Sequence, residues 1–159
     1  MNEFLVWFVA CFMSTFGVAY FYCKLVDVEI RFRLIPFLIF IIGVFLITIV
    51  KYLNILNVSV ISYFIYFPIL FYSLQKLKFG KLVFYILLIY IYGIFLDLIS
   101  MLLVTLMHNF TYFDIYGYMA QIILSLIIFI AFIIMANSKI IKNFTNNLLI
   151  VGLSESNKC

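Results

Sequence analysis

The sequence predicts an all-α integral membrane protein, a bundle of five transmembrane helices with its N-terminus outside and its C-terminus in the cytoplasm. Of the 159 residues, 69% are apolar and 10% are charged, whereas about 25% of the residues of a soluble domain are charged. A soluble domain of this length could not hide so much apolar surface from water. Nine of the ten Lys and Arg residues also fall in every second gap between the apolar runs, as expected when cations stay in the cytoplasm.

One transmembrane domain, residues 1–142, is followed in this interpretation by a short cytoplasmic tail, residues 143–159. A spanning helix needs about 20 mostly apolar residues. The predicted spans are residues 4–23, 34–50, 58–74, 82–107 and 119–136. We therefore expect a multi-pass protein of the plasma membrane.

The first two runs both predict membrane helices. The run 4–23 has no basic residue before it, only the acidic Glu3, and it has no small-residue cleavage site, so it is expected to remain as a helix rather than to be removed as a signal peptide. The second run has Pro36 in its first turn, where proline costs little, and it ends before Lys51.

The remaining runs differ in length and regularity. Pro68 lies inside the third run and removes one backbone hydrogen bond, which predicts a kink near residues 64–68. The fourth run is the longest and can tilt to fit the bilayer. After the fifth run, the apolar stretch 148–153 is too short to span.

The basic residues give the orientation. The expected cytoplasmic anchors are Lys24, Arg31, Arg33, Lys76, Lys78, Lys81, Lys139 and Lys142. Lys51 is the single cation in a gap that is expected to lie outside. Because these cations anchor loops, we expect the partners to include the lipid bilayer and no nucleic acid.

Asp97 is the one acid well inside an apolar run. A carboxylate near the bilayer centre costs about 2.5 to 3.5 kcal/mol, so it should face other helices. Helical spacing places it on one stripe with Gly93, Ser100 and His108. This polar seam is either a ligand, proton or signalling site, or a structural hydrogen bond between helices.

Other polar residues give weaker indications. His108, at the outer end of the fourth run, is either a contact for an external ligand or a polar residue that ends a helix. Tyrosine hydroxyls deep in the runs need partners if they are buried; these are on Tyr63, Tyr66, Tyr90 and Tyr92.

Enzymatic motifs are missing from the sequence. It has no Gly-rich phosphate loop, no HExxH and a single histidine, so we predict a non-catalytic protein without cofactor or metal. The cysteines have no metal or CxxC spacing, and Cys11 and Cys23 are expected to act as small apolar fillers.

Four segments together resemble the membrane sensor half of GHKL-type histidine kinases, the peptide-pheromone receptors of low-GC Gram-positive bacteria. The likeness covers roughly residues 4–142: a first run ending at Lys24, then RFRLIPFLIFIIGVFLITIV, YSLQKLKFGK and YGIFLDLIS. The resemblance implies a quorum-sensing module that receives an extracellular peptide or small ligand and passes the signal to a membrane-protein partner or within a homodimer. That family continues into a kinase, which this sequence lacks, so we expect a truncated receptor or a stand-alone relative. No binding residue is transferred by motif.

Two other families share part of this pattern. YGIFLDLIS also resembles a segment of the rod-shape-determining membrane subunit of cell-wall assembly, which implies a structural subunit. The chain is also similar in size to the substrate-binding membrane component of vitamin transporters. Both families usually have six spans, one more than is predicted here.

Overall fold

The computed structural model describes residues 3–27, 33–53, 56–110 and 118–156, with side chains described for 3–27, 33–53, 63–99, 101–103, 105, 106, 120 and 122–150. The described chain is helical: α1 Glu3–Leu25, α2 Leu34–Tyr52, α3 Leu56–Leu74, α4 Phe79–Phe110, α5 Tyr118–Asn137 and α6 Lys139–Ser156. The all-α prediction is confirmed for these residues. Arg31 lies outside them.

Three of the helices are long and apolar enough to cross a membrane, among the residues that the structure describes: Glu3–Leu25, Leu34–Tyr52 and Phe79–Leu103. A fourth crossing results if Ile122–Asn137 and Lys139–Ile150, which meet at 72°, form one broken span. Tyr63–Leu74 is a shorter apolar helix. Pro68 lies inside α3, which continues as a helix on both sides of it. These helices support a membrane protein, and the number of five membrane spans stays a prediction.

The most extensive packing joins α1 to α5. Phe16 lies 6.1 Å from Phe129 between ring centroids, and Phe21 lies 5.5 Å from Phe132. Because both partners advance together along the chain, the two helices run parallel. Gly17 permits the approach, since a methyl group added there would lie 3.3 Å from the Cα of Phe129.

The helix α2 runs antiparallel to its neighbours. Its end contacts the start of α1, with Phe4 and Tyr52 ring centroids 5.9 Å apart, and its middle contacts α1 further along, with Phe12 and Phe40 5.3 Å apart. Against α3, the Tyr66 ring covers Gly43, and the Tyr66 hydroxyl donates to the Phe40 carbonyl at 3.3 Å.

Tyrosine hydroxyls also connect α3 to α1 and α4. The ring of Tyr22 stacks on Phe71 with centroids 4.1 Å apart, and its hydroxyl donates to the Phe71 carbonyl at 3.4 Å. Tyr90 on α4 donates to the carbonyl of Tyr63 at 2.8 Å. The prediction that deep tyrosines need partners is thus confirmed for Tyr66 and Tyr90. These bonds satisfy hydroxyl groups that would otherwise be costly to bury.

The helix α6 is a feature that the sequence analysis did not anticipate. It begins directly after Ser138 and turns away from α5. Thr145, fully buried, donates to the carbonyl of Ile141 at 2.8 Å. The Lys142 ammonium forms an ion pair with Asp27, which follows α1. This contact ties the start of α6 to the connection between α1 and α2.

Candidate functional site

The predicted polar seam lies on α4, and two of its members, Gly93 and Asp97, have described side chains. Asp97 is exposed and Gly93 is half-buried, and a methyl group added at Gly93 would meet nothing within 4 Å. The helix α4 packs on the bundle through its first half, up to Leu96. Beyond Leu96, the described side chains of α4 are exposed. Asp97 is therefore not covered by the rest of this chain, and its role stays a prediction.

The other two seam residues are placed only by their backbone. Ser100 and His108 belong to α4, and their side chains lie outside the described residues. Their role stays a prediction.

The predicted anchors gather at one end of the bundle, where α1 and α3 end and α2 and α4 begin. Lys24, Arg33, Lys76 and Lys78 are exposed there, and Lys81 is half-buried. Lys139 and Lys142, at the start of α6, follow the end of α5, which runs parallel to α1. We call this the basic end of the bundle.

Lys51 lies at the opposite end, on the last turn of α2. Its ammonium is 5.7 Å from the centroid of the Trp7 ring and 5.4 Å from that of Tyr63. These two rings come from α1 and α3, so three helices meet around one cation. A cation within about 6 Å of an aromatic centroid is attracted by the negative face of the ring.

Two further groups extend this arrangement. The hydroxyl of Tyr63 interacts with the Lys51 ammonium and with the thiol of Cys11, which is buried. The Asp97 carboxylate, on α4, attracts the same ammonium electrostatically. We refer to Trp7, Lys51, Tyr63 and Asp97 together as the Lys51 site.

The Lys51 site can attract an anion. An ammonium has three donors and no acceptor, and the rings on two sides hold it without neutralising its charge. Asp97, the acid that attracts it, is exposed. A carboxylate that approaches from this end would meet the same positive charge.

In the sequence, Asp97 is identified as unusual, whereas Lys51 is only the one cation that departs from the expected cytoplasmic location of positive charge. A usable signal was present, since the one cation outside the anchoring loops and the one acid within an apolar run are opposite in charge. Pairing them needs the register between α2 and α4, which the sequence does not supply.

Metal chemistry finds no support among the residues with described side chains, where no three His, Cys, Asp or Glu residues come together. Cys11 and Cys23 are buried and unbridged, in keeping with their expected role as apolar fillers.

Neither a protein-family model, nor a curated protein, nor a solved structure matches this chain.

Proposed function

We propose that this chain is a five-span, non-catalytic sensor module of the plasma membrane, with its N-terminus outside and its C-terminus in the cytoplasm. The observation that carries the proposal is the Lys51 site. Of the ten basic residues in the sequence, only Lys51 falls in a gap that is expected to face outside. It lies between Trp7 and Tyr63 and is attracted by Asp97.

The directions of the helices support five crossings. By their contacts, α1, α3 and α5 run one way and α2 and α4 run the other way, as alternate crossings require. The exposed cations gather at the basic end, which the positive-inside rule assigns to the cytoplasm. The Lys51 site then faces outward.

Reporter fusions test this topology. Fusions at positions 54 and 112 should report outside, and fusions at 78 and 150 should report the cytoplasm. A cytoplasmic signal at 54 or 112 would contradict the orientation.

The ligand in this proposal is an extracellular peptide or small molecule that carries a carboxylate. It would compete with Asp97 for the Lys51 ammonium, because both are anions that the same cation attracts. Such a ligand changes the balance between two arrangements only if it binds one of them better. Movement of Lys51 toward the ligand would shift α2 against Trp7 on α1 and Tyr63 on α3. The basic end would transmit the change through the Asp27–Lys142 ion pair to α6.

Hydrogen exchange at the start of α6 tests this coupling and leaves the Asp27–Lys142 ion pair intact. Lys51→Gln or Asp97→Asn should change the exchange rate of the backbone amides at the start of α6 by about fivefold or more, which is the lower end of typical coupling between distant sites. Lys78→Gln, an exposed lysine at the basic end, is the matched control and should leave the rate unchanged.

The amount of inserted protein and the exchange rate together separate sensing from a purely structural role. A sensor predicts a changed exchange rate at the start of α6 in a normal amount of inserted protein. If Asp97→Asn only lowers the amount of folded protein and the exchange rate of the remainder is unchanged, the Lys51 site is structural and the proposal fails.

A structural membrane subunit is the second candidate, and the exposed second half of α4 favours it. Leu98, Met101 and Leu102 are each about 60% exposed there, beside Asp97. A carboxylate on this surface is costly in lipid and would be stabilised by a polar group of a partner helix. Cysteine at Leu98 should then crosslink to one defined membrane protein, and cysteine at Leu87, exposed on the first half of α4, should not.

A further inference from the structure

A groove of about 280 Å³ lies on the opposite half of the molecule from the Lys51 site, between α1 and α2, with α3 as its floor. Its deep part is apolar, and the residues that form it are Phe12, Phe16, Ala19, Phe37, Phe40 and Leu70. Inside a bilayer such a groove is filled by hydrocarbon, because a void would forfeit the contacts of its lining atoms.

The length of the groove matches one leaflet. On α1 it extends from Phe12 to Cys23, which is roughly 16 Å at about 1.5 Å per residue. Half of a typical hydrocarbon core is about 15 Å. The groove therefore begins near the predicted middle of the membrane and reaches the basic end, so that one acyl chain fits along it.

Cations surround the mouth of the groove. Arg33 lines both the groove and a second recess of about 730 Å³, where Lys76, Ser73 and Tyr72 also lie. Lys24 is held 5.7 Å from the centroid of Tyr20, which lines the groove. Arg33 and Lys76 are exposed and face the same recess. Among the described residues, no acidic one lines either cavity.

We propose that this groove is a specific binding site for one anionic phospholipid of the cytoplasmic leaflet, with an acyl chain along Phe12–Phe40 and the phosphate group between Arg33 and Lys76. Arginine pairs with phosphate oxygens through two parallel hydrogen bonds, and lysine adds a point charge. The hydroxyl of Tyr72 supplies a neutral donor in the same recess, whereas that of Ser73 donates to the Leu70 carbonyl at 2.6 Å. The site is separate from the Lys51 site and extends the function proposed above.

Native mass spectrometry of the full chain in detergent micelles tests the proposal, with dioleoylphosphatidylglycerol and dioleoylphosphatidylcholine as probes. The two lipids share acyl chains and differ in net charge. One molecule of the anionic lipid should bind more tightly than the zwitterionic one. Arg33→Gln with Lys76→Gln should weaken binding of the anionic lipid about 30-fold, because each basic residue at a membrane surface contributes about fivefold.

The chain offers a matched control for charge. Lys78→Gln with Lys81→Gln removes the same charge from the same connection, and neither residue lines the groove. This variant should bind the anionic lipid within about twofold of the unmodified chain, since it loses only long-range attraction that salt screens.

A second variant tests binding of the acyl chain in the groove without replacing a charged residue. Ala19→Phe fills the groove and should weaken both lipids, and it keeps the proposal testable if the double variant does not fold. Equal binding of the two lipids to the unmodified chain would overturn the proposal, as would an equal loss in the Lys78/Lys81 control. Displacement of the lipid by millimolar inorganic phosphate would also overturn it, because the site would then be a free-phosphate site.

Discussion

Gly43 on α2 and Gly93 on α4 are both glycines inside long helices, but their surroundings differ completely. At Gly43 the ring of Tyr66 occupies the space of a side chain, so that an added methyl carbon would overlap Cε2. At Gly93 nothing lies within 4 Å of such a methyl. Lipid tails give little driving force for apolar helices to associate, so close packing has to hold them together. The α2–α3 side is therefore fixed by fitted contacts, whereas the face of α4 around Gly93 is not covered by the rest of this chain.

Phenylalanines provide the largest contrast between these regions. Phe71 is fully buried and stacked on Tyr22, whereas Phe95 on α4 is 61% exposed. Phe71→Ala should lower the free energy of unfolding by about 3–5 kcal/mol, because it leaves a cavity. Phe95→Ala should change it by less than about 1 kcal/mol. Thermal unfolding in detergent micelles measures both, and similar losses would show that the surroundings of Phe95 are packed as tightly as those of Phe71.

The glycines themselves give the second contrast. Gly43→Ala should cost about 1–3 kcal/mol by overpacking, because the Tyr66 ring has to move and its bond to the Phe40 carbonyl is lost. Gly93→Ala should be neutral or stabilise by up to about 1 kcal/mol, since alanine favours a helix. Adding Tyr66→Leu should recover part of the loss at Gly43, and no recovery in the double variant would mean that the ring is not the cause.

The lysines at the two ends give a smaller effect. Lys51→Met removes the contacts to Trp7 and Tyr63 and should cost about 1 kcal/mol. Lys78→Met, at an exposed position, should cost less than about 0.5 kcal/mol. Fluorescence of Trp7, the single tryptophan, should shift in the first variant only. An unchanged spectrum in Lys51→Met would contradict the contact.

The smallest effect is expected at the basic end. Lys142→Gln breaks the partly exposed ion pair with Asp27 and should cost about 0–1 kcal/mol of global stability. Its local effect should be larger, with faster hydrogen exchange at the start of α6. Lys139→Gln is the exposed neighbour and should leave that exchange unchanged. Equal protection in both variants would mean that the ion pair does not hold α6.

Sequence reasoning predicted most of the helices because apolar length decides whether a segment is buried in lipid. The runs 4–23 and 34–50 differ from α1 and α2 by two residues or fewer at each end. The helix α6 is not predicted, because its apolar stretch 148–153 is too short to span a membrane. Its polar residues Lys142 and Thr145 find their roles only against other parts of the chain.

The site was predicted less well, for a physical reason. Composition identified Asp97 as unusual, but the direction in which it points depends on how α4 rotates and where its packing on the bundle ends. Likewise, nothing local distinguishes Gly43 from Gly93. Only the register between α2 and α3, which brings Tyr66 over one of them, decides which glycine is needed.

The parallel pairing of α1 with α5 has a consequence for how the protein is made. The first helix to leave the ribosome has its most extensive partner in the fifth, so Gly17 and Phe21 cannot close against Phe129 and Phe132 until nearly the whole chain has been translated. Until then α1 presents its contact surface to lipid or to the insertion machinery. Assembly of this bundle is therefore completed late, and a ribosome that stalls before residue 129 leaves an N-terminal helix for quality-control proteases to recognise.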